Sequence, residues 1–211
     1  MLAGLAMVLA HGFFKAALFM VVGIIDHSTG TRDVRKLAHL GDRSPVLAAT
    51  AVIAAASMAG LPPFLGFIGK ETAFESTLDS DAMGPLSSAL VLAAMVVGSI
   101  LTVAYSLRFV WGAFGRKKLR QPSAAVASMH APGWFFLFPP VLLAVLGLVA
   151  GLAAPVVDTL IAPYSKTLPS YGAEDYHLAL WHGVNLPLGL TVVVILVGVL
   201  LYRVHKAIAR T

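Results

Sequence analysis

Gly60-Leu61-Pro62-Pro63-Phe64-Leu65-Gly66-Phe67-Ile68-Gly69-Lys70 continues an apolar run that begins near Pro45. Two consecutive prolines remove two backbone donors and push the preceding residue out of the α region, so a continuous helix cannot pass unperturbed. The spacing predicts a helix broken at Pro62-Pro63. In a bilayer the freed carbonyls must find protein partners or water, and interrupted helices therefore accompany polar cavities. Lys70 then has two readings. In an unbroken helix it would reach the far headgroups as an interfacial anchor. The break shortens the path along the membrane normal, so the same lysine can instead sit in a hydrated cavity inside. Spacing alone leaves both open.

Outward from the break, the chain divides into further apolar stretches. Of its 211 residues 58% are hydrophobic and 12% charged, half the charged share expected of a soluble domain. Windows long enough to cross a hydrocarbon core number about five. They are Leu2 to Ile25, the broken segment from Pro45, Leu86 to Phe114, Trp134 to about Ile161, and about Leu178 to Tyr202. The expected fold is all-α: a polytopic membrane protein of about five transmembrane helices, the second of them broken. Met1 opens straight into the first apolar run with no basic n-region, so that run reads as a span that stays.

Basic residues sit in short clusters beside the spans rather than along a track, which argues for orientation signals and against nucleic acid. The first connector holds four Lys/Arg, the stretch Glu75 to Pro85 none, residues 115–133 four, the fourth connector Lys166 alone, and the tail three. Such alternation places residues 26–45 and 115–133 in the cytoplasm, the N-terminus outside and the C-terminus inside. There is no cysteine, which excludes disulfides, Cys-ligated zinc and iron–sulfur clusters. No nucleotide loop, triad or metal-ligand spacing is visible, and His11, His27 and His39 lack ligand spacing. No cofactor is expected.

Ionisable side chains inside spans cost about 2.5–3.5 kcal/mol each on insertion scales, so each needs a reason. His11 and Lys15 stand at i, i+4 in the middle of the first span, on one face. Such a pair can exchange protons; the blander alternative has Lys15 snorkelling and His11 bound to a backbone carbonyl. Glu71 and Glu75 follow Lys70, and Glu75 is a candidate for an exit path. Arg108, Tyr105 and Ser106, and likewise His182 with Trp181 and Asn185, read more simply as interfacial-belt residues. Asp158 reads as solvated.

His11-Gly12-Phe13-Phe14-Lys15-Ala16-Ala17-Leu18-Phe19, Arg32-Asp33-Val34-Arg35-Lys36-Leu37 and the Gly60 to Glu71 stretch, in that order, resemble the antiporter-type subunit family. That family comprises the large subunits of Mrp multisubunit Na⁺/H⁺ antiporters and the proton-pumping membrane subunits of respiratory complex I. The stretch Leu180-Trp181-His182-Gly183-Val184-Asn185-Leu186-Pro187 resembles the continuation of Mrp A subunits beyond the antiporter core, which favours the Mrp branch.

The resemblance implies that Lys70 carries protons on a central hydrophilic axis flanked by His11 and Lys15. Many relatives place a second histidine one turn before the motif histidine, where this chain has Met7. Residues 1–114 would be a partial antiporter core, 115–133 a cytoplasmic loop and 134–211 two further spans. The chain is shorter than the family and is expected to be a fragment or truncated product. The implied function is a membrane subunit of a monovalent cation (Na⁺)/proton antiporter. It would be a secondary transporter rather than an enzyme, in the cell membrane with other membrane subunits as partners. The alternative is a proton-pumping subunit of an NADH:quinone oxidoreductase. A purely structural subunit is a third reading.

Overall fold

The computed structural model describes residues 1–78, 84–115, 121–167 and 177–208. The basic residues Arg116, Lys117, Lys118 and Arg120 of the third connector lie outside the described residues, as does Arg210 of the tail. The described part is helical throughout: α1 (Leu2–Thr29), α2 (Leu40–Arg43), α3 (Pro45–Ala59), α4 (Leu65–Leu78), α5 (Pro85–Phe114), α6 (Ala124–Ala127), α7 (Trp134–Leu152), α8 (Ala154–Ser165) and α9 (Leu186–Ile208), with a single 3₁₀ turn at Val34–Lys36. Among them α1, α5, α7 and α9 are long and apolar enough to cross a membrane, and α3 is a shorter apolar helix. The polytopic all-α expectation therefore holds, with α3 and α4 as the two halves of the broken segment.

Three boundaries differ from expectation. The fourth segment is not one helix to Ile161. It stops at Leu152, turns at Ala153 and restarts as α8 with Pro155 in its first turn, where a missing N–H costs nothing. The fifth helix starts at Leu186 rather than Leu178, because Asn185 caps it: its Oδ1 accepts the Leu188 N–H at 3.0 Å, and Gly183 before it takes φ 85°. Glu75, expected at the start of the second connector, lies inside α4.

The core sits where α1 meets α3, α4 and α7. Ala3, Ala6, Ala10, Phe14, Ala17, Val21 and Ile24 recur every three or four residues along the buried face of α1. Small residues let backbones approach, and in lipid that packing, not exclusion of water, draws helices together. One such close approach belongs to α7: a Cβ at Gly151 would overlap the Pro63 carbonyl and lie 2.6 Å from the Leu65 N. Only glycine lets α7 lie against the break.

The connectors that the charge pattern assigns to one side also meet in space. Leu37, Leu40, Ala113, Val126 and Met129 are buried in one cluster with the C-terminal end of α1. Ser123 donates its hydroxyl to the Lys36 carbonyl, and its N–H reaches the Ala38 carbonyl at 3.4 Å. In the Arg32-Asp33-Val34-Arg35 stretch, Asp33 caps the 3₁₀ turn by accepting from the Arg35 N–H at 3.0 Å. The Arg35 guanidinium beside it, together with that backbone bond, holds the Asp33 carboxyl below its ordinary value.

Candidate functional site

The break is built from Ala56 to Leu65. Gly60 ends α3 in the left-handed region at φ 81°, a conformation that costs other residues roughly 1–2 kcal/mol. Its N–H bonds the Ser57 carbonyl and the Leu61 N–H bonds the Ala56 carbonyl, each at 3.0 Å. The carbonyls of Met58 and Ala59 would in a continued helix have bonded the N–H groups of residues 62 and 63, and both are prolines. Lys70 answers one of them. From the second turn of α4 it reaches back and donates from Nζ to the Ala59 carbonyl at 3.0 Å. Its stem passes directly over Gly60, where an added Cβ would lie 2.7 Å from the Lys70 Cδ. The break thus provides both the acceptor and the room for the lysine.

Lys15 approaches the same helix end from another side. Its Nζ lies 5.9 Å from the centre of the Tyr105 ring, within range of a cation–π contact. Tyr105 in turn donates its hydroxyl to the Met58 sulfur at 3.6 Å, next in sequence to the Ala59 that Lys70 bonds. Tyr105 therefore does more than line a belt, while Arg108 is exposed and fits the belt reading. His11 is not brought into this group: it is exposed, with its ring centre 5.3 Å from that of Phe14. Met7 stands against Gly69, where an added Cβ would be 3.3 Å from the Met7 Cα. The position where relatives carry a histidine is therefore beside the α4 turn that holds Lys70.

Glu71 and Glu75 lie one turn apart on α4. Glu71 is 5% exposed, and its Oε1 and the Oε2 of Glu75 are buried without a hydrogen-bond partner among the described residues. Sequence reasoning singled out Glu75 and passed over Glu71, although its place beside Lys70 in an apolar segment was a signal. Asp158, expected to be solvated, is buried at 8% exposure. Its Oδ1 accepts the Leu178 N–H at 3.1 Å and its Oδ2 pairs with the His177 Nδ1 at 3.2 Å. A segment outside its own helix closes over it, which its local sequence does not disclose. Ser106, taken with the belt, is buried and bonds the Thr102 carbonyl at 2.6 Å.

Residues 1–102 match the transmembrane domain described as NADH:quinone oxidoreductase/Mrp antiporter. The chain is 35% identical over 202 residues to a probable K⁺/H⁺ antiporter A/B subunit of Rhizobium meliloti (strain 1021), covering 95% of this chain and 20% of that protein. It is 34% identical over 200 residues to the Na⁺/H⁺ antiporter A1 subunit of Staphylococcus haemolyticus (strain JCSC1435), covering 90% of this chain and 24% of the relative. Among solved structures, a chain of the Mrp complex from Dietzia sp. DQ12-45-1b superposes with a TM-score of 0.81 at 37% identity, over 100% of this chain and 22% of that one. The chain spans about a fifth to a quarter of the length of these relatives.

Proposed function

We propose that this chain, whose residues 1–102 match the transmembrane domain described as NADH:quinone oxidoreductase/Mrp antiporter, contributes part of the proton path to an A-type subunit of a multisubunit monovalent cation/proton antiporter. The observation that carries the reading is the Lys70 amine held on the Ala59 carbonyl at the break. A lysine kept by one neutral acceptor, with no carboxylate partner on that amine in the described residues, can give up its proton without breaking an ion pair. Lys70 is the carrier. Lys15, over Tyr105, stands beside the same helix end, and His11 serves only where further helices cover its exposed face. Glu75, with Glu71, lies on the way out. The chain acts as a transporter component with other membrane subunits as partners, in the cell membrane. The relatives named for Na⁺ and for K⁺ leave sodium as one of the cations to be assayed.

A proton-pumping subunit of a quinone-reducing complex is the second reading. The antiporter relatives match across some 200 residues, well past residue 102, and that extent favours the antiporter. The deciding experiment uses vesicles from an antiporter-deficient host. The complete complex should collapse a pH gradient on addition of Na⁺ or K⁺. This polypeptide alone should not, since gated access needs partner helices around the exposed face of α1. Exchange by the chain alone would overturn the dependence on partners, and none by the complete complex would overturn the antiporter reading.

The orientation is proposed with the N-terminus outside and the C-terminus inside. The packing of residues 36–38 against Ser123 supports a shared side for both basic connectors. Cysteine substitutions at Ser123 and at Ser80, which lies outside the described residues, should be labelled by a membrane-impermeant maleimide from opposite faces of the bilayer. Labelling of both from one face would reject the arrangement.

A further inference from the structure

A cavity of about 170 Å³ lies between the C-terminal end of α1 and the start of α7, apart from the break and from the acids of α4. Its walls are His27, Ser28 and Phe136 together with residues 130–133. We propose that it is a binding site for a phosphate group, carried by a phospholipid headgroup or free in solution.

The two histidines of the wall, His27 and His130, come from distant segments and are held there by buried neighbours. Ile24 and Ile25, shortly before His27, pack in one cluster with Met129 and Leu137, which bracket residues 130–136. The His27 ring is fixed further by Phe136, whose ring meets it edge to face with centres 5.4 Å apart. Neither imidazole makes a hydrogen bond to another described residue, so both keep their ring nitrogens for a ligand.

The chemistry of the wall favours an acceptor. The Ser28 hydroxyl and the imidazoles can donate, and a protonated imidazole offers two N–H groups and a positive charge. Phosphate oxygens accept, and they bond charged donors more strongly than neutral ones. No carboxylate is among the described lining residues. The nearest in sequence, Asp26, is engaged by the Arg32 guanidinium at 2.9 and 2.7 Å. The Gly133 carbonyl is occupied as well, by the Phe136 and Leu137 N–H groups. A metal cation would therefore find no anionic ligand on this wall.

The position suits a headgroup. Both α1 and α7 are long and apolar enough to cross a membrane, and the cavity lies where one ends and the other begins. Trp134 beside it is 60% exposed, and indole rings collect at the headgroup level. Bound there, a phosphate bridges α1 to α7, the helix that lies against the break at Gly151.

The test uses the complete complex purified in an alkyl maltoside. Ala131→Cys places a thiol on the cavity wall of a chain that has no cysteine of its own, and its modification by a maleimide is read on this subunit. The probes are dihexanoyl phosphatidylglycerol and inorganic phosphate, with dihexanoylglycerol as the lipid that lacks phosphate. Modification should slow about tenfold with a phosphate-bearing probe at about ten times its dissociation constant. Protection by the phosphatidylglycerol alone assigns the site to a headgroup, and protection by inorganic phosphate assigns it to the free anion. The double change His27→Ala with His130→Ala should lose the protection. So should His130→Glu, a change at an exposed position that sets a negative charge against the ligand. If the double variant fails to assemble, His130→Glu decides. Protection by neither probe, equal protection by dihexanoylglycerol, or undiminished protection in a well-assembled variant overturns the proposal.

Discussion

Lys70→Arg in the complete complex should abolish cation-dependent dissipation of a pH gradient while leaving assembly intact. Arginine keeps both a positive charge and N–H donors for the Ala59 carbonyl, so an anchoring or electrostatic role would survive the change. It cannot release its proton at accessible pH, so proton carriage would not survive. Lys70→Ala should also abolish exchange but is the less telling variant. It leaves the Ala59 carbonyl without its donor, a loss of roughly 1–3 kcal/mol unless water enters, and confounds carriage with stability. Near wild-type exchange by a well-assembled Lys70→Arg complex would remove Lys70 from the proton path.

Gly60→Ala should lose most of its exchange, whereas Gly30→Ala should keep it, although the two glycines cap helices in nearly the same conformation, at φ 81° and 68°. Each substitution incurs the left-handed cost of roughly 1–2 kcal/mol, so both should lower the thermal midpoint of the purified complex by similar amounts. They differ in what the new methyl group meets. At Gly30 nothing lies within 4 Å, whereas at Gly60 the Lys70 Cδ would be 2.7 Å away. A flexible stem can move aside cheaply, so the fold tolerates the intrusion. The amine then leaves the Ala59 carbonyl, and function does not tolerate that. Equal exchange by the two variants would mean that the position of Lys70 over the break is not needed.

The break that both variants probe was legible before any packing was known, because proline's missing donor is a local property of the chain. The existence of membrane helices was legible for the same kind of reason, as span length and apolar content require no knowledge of neighbours. The pairing of the basic connectors on one face agrees with the alternation of Lys/Arg along the sequence, though Arg116, Lys117, Lys118 and Arg120 lie outside the described residues.

The class of fold, the place where the second segment must interrupt and the residues worth asking about are thus written in the chain. Which of those residues face one another is settled only by packing between segments. Lys70 could have extended toward a headgroup or folded back, and only the turn of α4 against α3 directs it to Ala59. Asp158 reads as solvated from its own helix, and it is buried because residues 177 and 178 return to it. Trp134 to Ile161 reads as one span, yet it divides at Ala153, with α7 lying against the break at Gly151 and α8 resuming at Ala154. The physical reason is common to all three. Backbone donors, apolar length and charge alternation act within a few residues, whereas the direction of a long side chain and the burial of an acid depend on partners supplied by distant segments.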